Sequence, residues 1–269
     1  MDIRALIFDV NGTLIDIETD EHMEQAYRAI AHFLTYQGIT MHRWEVHDLY
    51  FQIMKEQFET RKEAYPEFDV VAVWREVLRR HASDYTRSLP DGKLQQLPLL
   101  IAELHRGISR KRLCLFPQEL EVLDRLRERY PLAVVSDAQS AYAIPELRAV
   151  GLLEYFDPVI ISGDYGYRKP DARLFQRALD GLKISADKVI FIGNDRYRDI
   201  FRAQQLGMKT VLFCSDQGTG RSDEAEPDYI IYQFGELLQA LEFLGTRCAK
   251  STNQKVARHL EGEYSDEPR

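Results

Sequence analysis

From residue 118 the sequence alternates between two textures, and this alternation limits the fold more than any other feature. A helical run, QELEVLDRLRERY, begins just after Pro117 and is followed by a short apolar strand, PLAVVSD. The pattern repeats: a helical YAIPELRAVGLLEYF broken by Gly151, a strand PVIISGD, a helix DARLFQRALDGL, a strand KVIFIGND, a helix DIFRAQQLG, strands MKTVLFC and PDYIIY, and a last helix FGELLQALEFL. Short apolar strands separated by helices of about ten residues predict βαβ crossovers and a parallel sheet covered on both faces. Ile3–Asp9 is a further nearly continuous apolar run, the pattern of a strand buried on both sides. The predicted fold class is therefore α/β, a doubly wound, Rossmann-like parallel sheet.

Between that first strand and the rest lies a stretch of different character. EHMEQAYRAIAHFLTYQG carries Met23, Ala26, Tyr27, Ile30, Phe33 and Leu34 at helical spacing and stops at Gly38. WEVHDLYFQIMKEQFETRKEAY, VVAVWREVLRRHASDY and LQQLPLLIAELHRGI continue the helical pattern, the last with Pro98 as a break or kink. The reading is an all-α cap over 16–109 inserted into an α/β core made of 1–15 and 110–245, with 246–269 as a disordered tail poor in apolar residues.

Charge and cysteine content narrow the partners and the setting. A formal net charge of -8 argues against nucleic acid as a partner, because phosphate backbones select clustered Lys and Arg. Cys114, Cys214 and Cys248 are odd in number and widely spaced, which suits free thiols in a reducing compartment. The apolar run at the N-terminus is too short for a signal peptide, and no stretch approaches the ~20 apolar residues of a membrane helix. The expectation is a cytoplasmic protein with a small-molecule partner and no membrane or nucleic-acid partner.

In open α/β sheets, ligands bind at the carboxyl ends of the strands. Four predicted strands end in chemistry: Asp9 and Asn11; Ser136 and Asp137; a loop leading to Lys169-Pro170-Asp171; and Gly193-Asn194-Asp195 with Asp199 four residues on. Brought to one sheet edge, these carboxylates suit a hard divalent cation such as Mg²⁺, while Lys169 and Ser136 suit an anion.

The order Asp-x-x-Gly-Thr, strand-end Ser, Lys-Pro-Asp, then Gly-Asn-Asp with a trailing Asp resembles the haloacid dehalogenase superfamily of hydrolases over roughly residues 3–243, and the insertion resembles that family's helical cap. The resemblance implies Asp9 as nucleophile, Thr13 as the residue that positions its loop, and Lys169 as the cation neutralising nucleophile and substrate. It implies Ser136, with Gly12 and Asp137 beside it, as the phosphate-binding edge. Asp9, the Asn11 carbonyl, Asp195 or Asn194, and Asp199 are implied for the metal site, and Asp195 is the expected ligand because a carboxylate binds Mg²⁺ better than an amide.

Asn11 is the departure. Phosphatases of the family normally carry Asp there, which protonates the leaving oxygen and later deprotonates water; an amide does neither. Such assistance is typically worth ~10²–10⁴-fold. Three readings follow: a Mg²⁺-dependent phosphatase of a small phosphorylated metabolite; a metal-free 2-haloacid dehalogenase-like hydrolase, for which Arg28 on the first cap helix is the candidate carboxylate clamp; and a non-catalytic binding protein on the same fold. The histidines show no metal spacing and read as surface or packing residues.

Overall fold

Leu6 and Phe8 belong to one apolar cluster and Ala5 and Ile7 to another, so β1 (Ala5–Phe8) is buried on both faces, as its unbroken apolar run requires. In this computed structural model, which describes residues 2–218 and 225–245, β1 lies at the centre of a six-stranded parallel sheet. The others are β4 (Leu132–Ser136), β5 (Val159–Ile161), β6 (Val189–Gly193), β7 (Lys209–Phe213) and β8 (Tyr229–Ile231), in the order β5-β4-β1-β6-β7-β8. The chain leaves β1 toward both edges, so the order reverses at β1 and opens a crevice at its carboxyl end. The helices α6 (Glu119–Arg127), α7 (Ser140–Ala149), α8 (Ala172–Leu182), α9 (Arg202–Gln205) and α10 (237–245) accompany the sheet.

The remaining two strands, β2 (Asp16–Thr19) and β3 (Arg110–Cys114), form an antiparallel ribbon with Asp16 opposite Cys114. The all-α stretch expected over 16–109 is corrected at its start, where β2 lies, and β3 is likewise unexpected: both strands are short and only half-buried, so neither leaves an apolar run to read. Between them stand α1 (Glu24–Tyr36), α2 (Arg43–Thr60), α3 (Val70–His81), α4 (Asp84–Arg87) and α5 (Asp91–Ser109). Sequence periodicity predicts four helices here; the additional one, α4, is a single turn started by the Ser83 hydroxyl, too short to show a period. Pro98 does not break α5: the helix runs through it with the ring buried, one lost hydrogen bond being tolerated. The insertion has its own apolar interior of Tyr27, Ile30, Leu34, Tyr50, Val73, Trp74, Val77 and Ile101. The tail expected at 246–269 lies outside the described residues.

The insertion sits over the strand ends. Gln139, just before α7, accepts from the Val70 amide at 2.9 Å and donates to the Phe68 carbonyl at 2.9 Å. Glu67 N donates to Gly166 O at 3.0 Å and Arg168 N donates to Tyr65 O at 2.9 Å. Arg106 of α5 spans the other side, donating to Glu146 of α7 at 2.7 Å and to Glu21 at 3.0 Å.

Candidate active site

Beyond β1 the chain turns back at once. Val10 O accepts from the amides of Thr13, Leu14 and Ile15, and Gly12 takes a φ of +77° to allow it. A Cβ on Gly12 would also collide with the Asn194 amide group and Gln217. This tight loop holds Asp9 at 5% exposure, with Thr13 Oγ1 donating to its Oδ2 at 3.2 Å.

Lys169, 160 residues away in sequence, meets Asp9 here. Its Nζ donates to Asp9 Oδ1 at 2.6 Å and to Asp199 Oδ1 at 2.7 Å. Burial alone would lower the lysine's affinity for its proton, but Asp199, Asp9 and Asp137 outweigh it, and Lys169 is held above the ordinary lysine range. Burial pushes Asp199 upward against the pull of Lys169. Asp199 Oδ2 also accepts from the Asp195 amide at 3.0 Å, and the side chain lies where a Cβ on residue 193 would be, which accounts for Gly193.

Ser136 ends β4 with its hydroxyl buried and no hydrogen-bond partner among the described residues. Asp137 accepts from the Lys169 amide at 2.8 Å through Oδ1 and faces Arg198 at 3.5 Å through Oδ2; burial pushes it up against those two cations. Asp195 caps the π-helical turn Arg196–Phe201: Oδ1 accepts from Tyr197 N and Arg198 N, and Oδ2 from Arg198 Nε at 2.9 Å. Asn194 instead lies against Gly12 and donates to Ser215 Oγ at 3.4 Å. The two neighbours thus diverge, with the amide toward the Asp9 loop and the acid toward its own helix.

Above these groups, between insertion and sheet, is a cavity of about 450 Å³. Asn11, Asp137 and Arg198 line it from below, and Tyr50, Phe51 and Met54 of α2 from above. Arg28 is exposed on α1 and is not among its lining residues; the cavity's arginines are Arg106, Arg168 and Arg198. These three were not singled out from sequence. Arg198 had a usable signal, its position between Asp195 and Asp199; Arg106 and His22, which also line the cavity, had none, because they come from the insertion.

The donor set bears on a metal. Among the described residues, no three His, Cys, Asp or Glu side chains gather as a metal cluster. Asp9 and Asn11 share one tight loop and offer a carboxylate and a main-chain carbonyl, and Asn194, packed against Gly12 of that loop, carries an amide oxygen. A set with one carboxylate fits Mg²⁺, which keeps several waters and takes substrate phosphate as a further ligand.

The profile of the haloacid dehalogenase-like hydrolases matches residues 6–213. The chain belongs to this family. A glyceraldehyde 3-phosphate phosphatase of Methanothermobacter thermautotrophicus is 25% identical over 228 residues, covering 83% of this chain and 91% of that protein. A phosphoglycolate phosphatase of Agrobacterium fabrum is 25% identical over 243 residues, covering 87% and 91%. Among solved structures, a 2-haloacid dehalogenase from Pseudomonas syringae pv. Tomato DC3000 superposes with a TM-score of 0.65 at 23% identity, covering 90% of this chain and 99% of that one, a likeness of fold. This hydrolase has no helix, among its described residues, long and apolar enough to cross a membrane.

Proposed function

We propose that this hydrolase is a phosphatase of a small phosphorylated metabolite, acting through an aspartyl-phosphate on Asp9, with Mg²⁺ as its cofactor. The observation that carries this is Lys169 held between Asp9 and Asp199 beneath the cavity between insertion and sheet, with the Ser136 hydroxyl, unpaired among the described residues, at the same sheet edge. The phosphatase relatives named above, similar over most of their length, support it.

Each residue then has one task. Asp9 Oδ2 attacks phosphorus, held in line by Thr13. Lys169, kept protonated, offsets the charge that gathers on Asp9 and the transferring oxygens. Ser136 Oγ donates to a phosphate oxygen, having no other acceptor. Asp199 orients Lys169 and stays out of the chemistry. Asp9, the Asn11 carbonyl and Asn194 would hold Mg²⁺, which would supply charge neutralisation on the phosphate; Asp195 would join only by giving up Arg198. A cytoplasmic setting belongs to the same reading, supported by the free thiols of Cys114 and Cys214.

A panel of phosphorylated metabolites with p-nitrophenyl phosphate as reference tests this: turnover with Mg²⁺ that EDTA removes is expected, and no phosphate release from any member would defeat it. Asn11→Asp should raise turnover about tenfold or more, since it restores the missing acid. One observation favours a second reading. The Asp195–Arg198 pair leaves the site poor in free carboxylates, which suits a metal-free dehalogenase-like hydrolase. Chloride release from 2-chloropropionate, unaffected by EDTA, would select it.

A further inference from the structure

The phosphatase reading leaves one proton without a carrier, because Asn11 can neither give nor take one. We infer that His22 carries it, as general acid and then general base, positioned by a relay through His47 and Asp48; the inference rests on the phosphatase reading. His22 stands just past β2 at the entrance to the insertion and lines the same cavity as Asn11. Its Nδ1 is 3.0 Å from His47 Nε2, and His47 Nδ1 is 2.8 Å from Asp48 Oδ1.

The chemistry of this chain fixes the direction of each bond. Asp48 only accepts, so His47 Nδ1 carries a hydrogen and His47 Nε2 is left with a lone pair. That lone pair accepts from His22 Nδ1–H, and His22 Nε2 becomes the atom that holds or gives up a proton. No described residue hydrogen-bonds to Nε2. The ring is fixed in place: it stacks on Phe51 with centroids 4.4 Å apart and planes at 18°, and the His22 amide donates to Asp20 Oδ1 at 3.2 Å. Tyr27 packs edge-on against His47 at 4.8 Å, and the charged and titratable groups around the relay are Asp20 with its partner Lys111, Glu21, Asp48, Arg106 and His105.

The other acids on the cavity wall are committed elsewhere. Glu21 holds Arg106, Glu67 accepts from Ser162 and the Phe68 amide, and Asp137 holds the Lys169 amide and faces Arg198. With His22 the steps balance. As Asp9 forms its bond to phosphorus, the bond to the leaving oxygen breaks, its electron pair stays on that oxygen, and the oxygen takes the proton from His22 Nε2. The water that next attacks phosphorus loses a proton to the same nitrogen, the Asp9 carboxylate departs with its electron pair, and inorganic phosphate is released.

The test is dependence on the leaving group. p-Nitrophenolate leaves without a proton; the alkoxide of glycerol 3-phosphate does not. In His22→Gln, kcat on glycerol 3-phosphate should fall about 10²-fold with KM little changed, and fall less than about tenfold on p-nitrophenyl phosphate. Its pH profile should lose the alkaline limb that marks a required acid, and Asp48→Asn should move that limb to lower pH. Adding Asn11→Asp to His22→Gln should return most of the alkyl phosphate activity. Equal losses on both esters, or none, with a working unmodified enzyme overturn the role of His22 alone. An unmodified enzyme that hydrolyses neither ester, nor any other phosphate, overturns the phosphatase reading and this inference with it.

Discussion

Lys169, in the sheet domain, is 3% exposed and keeps its charge because Asp9 and Asp199 face it at hydrogen-bond distance; His105, in the helical insertion, is fully buried and is held neutral by its burial, which lowers its pKa to about 4. Around Lys169 the interior supplies three carboxylates. Around His105 it supplies the rings of Tyr27, Tyr50 and Trp74, 5.1 to 5.8 Å away, while the Glu21 carboxylate, 3.8 Å from Nδ1, is too far for a hydrogen bond. The same obstacle, a titratable group away from water, is met by pairing in one place and by neutralisation in the other. Pairing preserves charge for chemistry, while neutralisation lets the imidazole pack among aromatic rings.

The sharpest way to break the comparison is to remove the charge that the core exists to hold. Asp9→Asn should lower turnover by more than about 10³-fold while the circular dichroism spectrum stays unchanged, because the amide keeps the shape and loses the nucleophile. Turnover within tenfold of the unmodified enzyme would remove Asp9 from the reaction. Lys169→Met comes next. It leaves two buried carboxylates facing each other and should cost about 3–5 kcal/mol in urea unfolding; Asp199→Asn added to it should recover part of that stability and none of the activity.

The insertion supplies the third prediction. A histidine in an unfolded chain titrates near 6.5, and His105 in the fold near 4. Between those values the unfolded chain holds the additional proton, so stability is complete above about pH 6.5 and falls as the pH drops toward 4, by roughly 3 kcal/mol at most. Trp44 and Trp74 both lie in helices of the insertion, so tryptophan fluorescence in urea reads the insertion directly. His105→Phe should flatten this dependence, and an unaltered slope would show that another group sets it. The smallest effect expected is at Asn194: its change to Asp adds a carboxylate beside the Asp9 loop and should lower the Mg²⁺ concentration for half-maximal turnover by about tenfold. An unchanged Mg²⁺ requirement would place the metal ligands elsewhere.

These contrasts were unequally visible in the chain. The strand-end residues Asp9, Ser136, Lys169 and Asp199 stood out because each closes or follows a buried apolar run, a local pattern. The divergence of Asn194 from Asp195 did not, because both acid and amide are reasonable at a strand end. Only the Arg198 guanidinium, and the close approach of Gly12, decide which way each turns. His22 reads as a surface histidine and is exposed in the fold; its pairing with His47 leaves no local signal because that partner is 25 residues away on α2. Arg28, on an amphipathic helix, was assigned by residue type, and its helix presents it to solvent.

The alternation of sheet strands and helices, the interruption after β1 and the set of reactive residues at the sheet edge are legible in the sequence alone, since hydrophobic period and strand length are properties of neighbours in the chain; the short, half-exposed β2–β3 ribbon and the single turn α4 are not. Which of those residues touch was decided by the tertiary fold. Lys169 reaches Asp9 across 160 residues because parallel crossovers bring every strand's carboxyl end to one side, and the insertion sits over them because Gln139, Glu67 and Arg106 tie it there. Contacts of that kind depend on geometry that no local pattern encodes.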